Sequence, residues 1–125
     1  MSLKPEFREY VLEQLDGLGV TARLMFGGAG LYAGGAIFGV MDDDQVFFKV
    51  DDETRPLYVA RGAKAWDPMP GYEKPSPHYY EVPGEVLDDR DELREWARRS
   101  IEVGRRTKRK PSRKAKPAAK KKRKR

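Results

Sequence analysis

The last 21 residues set the terms for everything before them. From Arg105 to Arg125 the chain holds fourteen Lys or Arg and no Asp, Glu, Gly or aromatic residue. A block so charged and so poor in apolar side chains cannot bury enough surface to offset the entropy of ordering it. The sequence therefore predicts a folded domain over residues 1–104 and a disordered Lys/Arg-rich tail over 105–125. The overall charge of +6 hides this division. All twenty acidic residues lie at or before Glu102 and face only twelve basic ones, so the first 104 residues carry −8 and the tail +14.

About a hundred residues make one domain with one modest core. The absence of cysteine removes disulfides and thiolate metal sites. The first residues lack an apolar signal segment, and glycine interrupts the longest apolar runs, so a soluble cytoplasmic protein is expected, in contact with the nucleoid if the tail binds DNA.

Along the chain, Pro5 suits a first helical turn, and Phe7, Tyr10, Val11, Leu15 and Leu18 share a stripe, so a helix is predicted over 5–17. Three β-type segments follow over 22–32, 36–41 and 46–50, separated by Gly34-Gly35 and by Asp42-Asp43-Asp44-Gln45. The glycines at 27, 28 and 30 predict a bend or bulge within the first of these segments. A short helix is expected over 52–61, capped by Asp51 or Asp52 and stopped by Gly62. A strand over 63–66, a proline-rich loop over 67–77 and a strand over 78–82 come next. A final helix starts at Asp88 or Asp89, with Glu92 placed for a capping box and a stripe of Leu93, Trp96, Ala97, Ser100, Ile101 and Gly104. The order α-βββ-α-ββ-α predicts an α+β, two-layer fold with a mainly antiparallel sheet and helices on one face.

Chemical motifs are few. Gly28-Ala29-Gly30-Leu31-Tyr32-Ala33 matches a loose dinucleotide fingerprint, but that motif needs a helix directly after it, and the next residues look like a hairpin. The acidic clusters Asp42-Asp43-Asp44 and Asp51-Asp52-Glu53 lack calcium-loop spacing and suit a turn and a helix start. His78 is the only histidine and has no nucleophile motif to serve. No cofactor, metal or catalytic residue is assigned, and the protein is expected not to be an enzyme. Phe26, Tyr32, Phe38, Phe47, Phe48, Tyr79 and Tyr80 recur on β-type segments. A stacking platform for single strands would interleave them with basic residues; with only Arg23 and Lys49 beside them, core packing is the expectation.

The tail points to a polyanion. Its candidate nucleic-acid contacts are Arg105, Arg106, Lys108, Arg109, Lys110, Arg113, Lys114, Lys116, Lys120, Lys121, Lys122, Arg123, Lys124 and Arg125. Prolines and Ala118-Ala119 space the clusters, no apolar face for membrane insertion develops, and phosphate contact with counterion release fits best, DNA ahead of RNA. A solvating tail, or one folded back on its own acidic domain, is the alternative.

Several spaced motifs carry a family resemblance: Arg23-Leu24-Met25-Phe26-Gly27-Gly28-Ala29-Gly30-Leu31-Tyr32, Phe38-Gly39, Phe48-Lys49-Val50-Asp51, Thr54-Arg55-Pro56-Leu57-Tyr58, Tyr80-Glu81-Val82-Pro83, and Val86-Leu87-Asp88-Asp89 with Leu93 and Trp96. In this order they resemble the TfoX (Sxy) N-terminal domain family over nearly all of residues 5–104. The resemblance implies the same α-βββ-α-ββ-α fold and a bacterial cytosolic regulator of competence genes whose type member assists a transcription activator. It brings no catalytic residues. Its motif positions fall on Arg23, Phe26, Gly27, Gly28 and Gly30, with a structural role as one option. Full-length competence regulators of the family carry a second folded domain where this chain has its basic tail. The expected function is thus a non-enzymatic regulator, nucleic-acid-associated through its tail, with a protein partner in transcription met by residues 1–104. The rival is an interaction adaptor that binds no nucleic acid.

Overall fold

The computed structural model describes residues 3–25, 27–67, 71 and 75–109, with the backbone alone at 108 and 109. Helix α1 spans Pro5–Gln14, then β1 Val20–Met25, β2 Gly28–Ala33, β3 Ala36–Asp42 and β4 Gln45–Lys49 follow. Helix α2 spans Arg55–Ala60, β5 Ala65–Trp66, β6 Ser76–Glu81, α3 Gly84–Leu87 and α4 Arg90–Arg109. The strands form one sheet in the order β1-β2-β3-β4-β6-β5, with every neighbouring pair antiparallel. The α+β two-layer expectation holds.

Register decides which side chains meet the helices, because alternate residues of a strand point to opposite faces. Ala29, Leu31, Phe38, Met41, Val46, Phe48 and Val50 gather in one cluster with Val11 and Leu15 of α1, Tyr58 of α2, Val86 of α3, and Leu93, Trp96 and Ala97 of α4. The helices therefore cover one face of the sheet. Phe38 and Phe48 are fully buried there, rings 5.7 Å apart, each contributing roughly 2–3 kcal/mol of apolar burial. The stripe read from the sequence of α4 faces this core, with Leu93, Trp96, Ala97 and Ser100 buried.

The helix ends are tied by side chains. Asp89 Oδ1 accepts the Glu92 amide at 3.2 Å, the cap expected at that position. Arg94 donates to the carbonyls of Gln14 and Asp16, satisfying backbone acceptors at and just beyond the C-terminus of α1. Arg61 bonds Glu85 and Glu92 while its guanidinium stands 5.4 Å from the Trp96 ring centroid, joining α2, α3 and α4.

Three expectations change. The segment 22–32 is two strands rather than one bent strand: Met25 pairs with Gly28, so the chain reverses across two residues, and Gly27 takes a φ of 81°. A bulge does occur, one step later, where the β2–β3 register shifts between Leu31 and Tyr32. The final helix starts at Arg90, beside the expected Asp88 or Asp89, but a short helix absent from the expected order, α3, precedes it. Lastly, α4 runs through Arg109, five residues past the expected end of the folded part at Gly104. Arginine is a good helix former, and cations complement the negative end of the helix dipole. Local pairs add to this: Arg105 bonds Glu102 and the Thr107 hydroxyl donates to the Val103 carbonyl. The tail contacts expected from Lys110 to Arg125 lie outside the described residues.

Candidate functional site

The helix-free face of the sheet brings together the chemistry that the sequence scatters. Thr21, Arg23 and Met25 of β1 pair with Tyr32, Gly30 and Gly28 of β2, so all six point away from the helices. Ile37 and Val40 of β3, Phe47 and Lys49 of β4, and Tyr79 of β6 continue that face through the pairs Tyr32–Ile37, Gly30–Val40, Val40–Phe47 and Lys49–Tyr79. Trp66 of β5 completes it, with ring centroids 5.9 Å from Phe47 and 5.7 Å from Tyr79.

The aromatic residues expected to share one core are thus divided by strand alternation. Phe38, Phe48 and Tyr80 belong to the helix-covered side, whereas Tyr32, Phe47 and Tyr79 belong to the open side with Trp66. Phe47 is buried within that layer, while Tyr32, Trp66 and Tyr79 are half-buried. Phe26 lies outside the described residues.

Both basic residues noted among the β-type segments stand on this face. The Arg23 guanidinium lies 5.1 Å from the Tyr32 ring centroid, within cation–π range. Lys49 is half-buried, and burial pushes its ammonium below the usual lysine range. Among the described residues no carboxylate lies within salt-bridge distance of it. Burial, then the Tyr32 phenol, pushes the Tyr79 hydroxyl up.

The motif glycines shape this surface. A Cβ on Gly28 would collide with the Met41 carbonyl oxygen, a backbone atom that cannot swing aside. A Cβ on Gly30 would stand 3.0 Å from Tyr32 Cε1, 3.1 Å from Met25 Cε and 3.2 Å from Ile37 Cδ1. The absence of side chains there lets the neighbours close over β2, so Gly27, Gly28 and Gly30 each have a conformational or packing reason to be glycine. The dinucleotide-like spacing sits on β2 and runs into the β3 hairpin, with no helix to meet a pyrophosphate.

Two hollows flank Lys49. One, of about 410 Å³, is bounded by Lys49, Asp51, Asp52, Arg55, His78, Tyr79 and Thr107. The other, of about 280 Å³, is bounded by Tyr32, Gly35, Ile37, Lys49, Gly104 and Thr107. The acids of the first hollow are already engaged. Asp51 Oδ2 accepts from Arg106 at 2.8 Å, and Asp52 pairs with Arg55 at 2.9 Å. Asp51 also accepts the amides of Glu53 and Thr54, closing a turn ahead of α2, which begins at Arg55 with Thr54 at its N-cap rather than at the expected Asp52. Burial works to raise the Asp51 carboxyl, but the Thr54 and Glu53 hydrogen bonds and Arg106 outweigh it and hold the group below the usual range.

Of the tail contacts expected from sequence, Arg105 and Arg106 are described, and both are paired with acids of the domain: Arg105 with Glu102, and Arg106 with Asp51 and Glu102. Asp51 as the anchor of the last turn of α4 was not legible, since the two residues are 55 positions apart. Among the described residues, no group of three or more His, Asp or Glu could hold a metal ion. No helix among them is long and apolar enough to cross a membrane.

Comparison with known proteins agrees with the motifs. No curated protein matches the chain. The family model of the TfoX N-terminal domain matches residues 13–104, from the end of α1 through most of α4. With the glycine hairpin, the open sheet and the α4 core stripe all inside that span, the chain belongs to the TfoX N-terminal domain family.

Proposed function

We propose that this protein is a non-enzymatic regulator that associates with nucleic acid through the basic residues at and beyond the end of α4, while its folded domain meets a protein partner. Family membership supports a TfoX-like regulatory domain. The observation carrying the nucleic-acid part is the charge division: −8 over the first 104 residues and +14 over the last 21. A long single-sign block gains affinity for phosphates by releasing condensed counterions and reads no base sequence. Helix α4 is rooted in the core at Leu93, Trp96 and Ala97 and carries the first two of these charges, Arg105 and Arg106, near its C-terminal end.

The test compares the full chain with a variant in which every Lys and Arg from 110 to 125 becomes Gln, leaving all described contacts intact. Binding of a labelled 20-base-pair DNA duplex at low salt should be tight for the first and lost for the second. Equal binding by both, or none by the full chain, would sink the proposal. The adaptor alternative is favoured by Leu57 and Val59, 41% and 56% exposed on α2. It predicts capture of a partner protein that survives nuclease treatment and is lost on Val59→Lys.

A further inference from the structure

We infer that the helix-free face of the sheet is a second nucleic-acid contact, a stacking platform for unpaired bases. Tyr32, Trp66 and Tyr79 would supply the ring faces, and Lys49 and Arg23 the phosphate contacts. It deepens the proposed function, on which it rests, by naming single strands as the preferred form of the ligand.

Four observations converge. First, the rings are placed for stacking: Tyr32, Trp66 and Tyr79 are half-buried rather than enclosed, and their neighbours fix their planes, so little side-chain entropy remains to be lost on binding. Every base has a π-face, so such a platform tolerates sequence while a duplex, whose bases are already stacked, gains nothing from it. Second, Lys49 stands between Tyr32 and Tyr79 with no acid within salt-bridge distance among the described residues. A half-buried ammonium without a counter-charge is costly to hold, and an anion arriving from solvent relieves that cost. Third, the two acids that line a hollow with it, Asp51 and Asp52, are paired with Arg106 and Arg55, so they do not screen Lys49 from a phosphate. Fourth, Thr107 borders both hollows beside Lys49, which places the start of the basic block at the rim of the platform. A strand lying across the sheet would therefore pass from aromatic faces directly to the Lys/Arg-rich segment.

The experiment uses the full chain with three probes: a 12-nucleotide poly-dT strand, the RNA strand of the same sequence, and a 12-base-pair duplex. Tyr32→Leu removes a ring while keeping apolar bulk, Lys49→Gln removes the charge, and Arg98→Gln on α4 controls for charge alone; circular dichroism melting checks folding. Loss of one stacked base predicts about tenfold weaker single-strand binding for Tyr32→Leu, with duplex binding changed less than twofold. Lys49→Gln should lower the single-strand log–log salt slope by about 0.7. A second readout is fluorescence: the strand should quench Trp66 in the wild-type chain, whereas Trp96 lies 5% exposed in the core, and Trp66→Phe should remove most of the quench.

If Tyr32→Leu and Lys49→Gln bind single strands within twofold of wild type and Trp66 is not quenched, the platform is refuted while tail binding stands. If the full chain binds none of the probes at low salt, the platform and the tail proposal fall together.

Discussion

Alanine at Gly104 sets two principles against each other. Gly104 lies inside α4 in ordinary helical conformation, so replacing it with alanine should gain about 1 kcal/mol from backbone entropy. The added Cβ, however, would stand 2.5 Å from the Ile37 carbonyl oxygen and 3.4 Å from Phe38 Cβ. Ile37 is backbone of β3, held between β2 and β4, so neither helix nor strand can yield alone. Relief means opening the helix–sheet gap by about 0.5–1 Å, which forfeits a quarter to a half of each dispersion contact it loosens. Overpacking of this kind costs about 1–3 kcal/mol. Because the obstacle is main chain, the upper part of that range applies and the substitution should destabilise by about 1–2 kcal/mol net. Thermal unfolding followed by circular dichroism should then show Tm lowered by roughly 5–15 °C for a domain of this size. A variant with raised Tm and an unchanged urea m-value would refute the packing role of Gly104.

Other consequences can be checked in the same assay. Tyr58 and Ser100 are buried with their hydroxyls 3.4 Å apart; Tyr58→Phe or Ser100→Ala should each cost about 1 kcal/mol by stranding the other hydroxyl, and the double variant less than their sum. The Asp51 carboxyl is held below its ordinary value, so it contributes stability above the unfolded pKa of about 4 that is lost as pH falls through its folded pKa. Asp51→Asn should therefore lower stability at neutral pH and flatten the acid limb, and a limb unchanged in urea titrations between pH 2 and 5 would count against it. Asp42 has the opposite sign: burial first, then Asp43, raises its carboxyl, and its Oδ1 is buried without a hydrogen-bond partner. Asp42→Asn should stabilise at neutral pH, with the advantage shrinking as pH falls through the raised value.

Local patterns were legible wherever one residue's neighbours in sequence decide its place. The α4 stripe, the Asp89 cap, the Gly34-Gly35 turn and the stop at Gly62 (φ 78°) follow from helical spacing and backbone preference. The hairpin at Gly27 was missed because a glycine run signals a bend, a bulge and a turn alike, and only pairing with β1 separates them. The extension of α4 was missed because composition reports a shortage of apolar side chains, not the ion pair that Arg106 makes with distant Asp51. The platform was hidden for a related reason. Tyr32, Phe47 and Tyr79 read as core aromatics until register puts them on the face the helices leave open, beside Lys49. Period-two alternation contains that answer, but Phe38, an extra residue of β3 opposite the Leu31–Tyr32 step, breaks its phase in the neighbouring strand.

The most direct test of the account is a salt series on one single-stranded DNA. About half of the fourteen basic residues after Gly104 engaging phosphates predicts a log–log slope of about −5 between 50 and 300 mM salt. Measurable affinity should persist at the upper end, where stacking on the sheet remains after the charges are screened. A slope near zero, or no binding at the lowest salt, would contradict it.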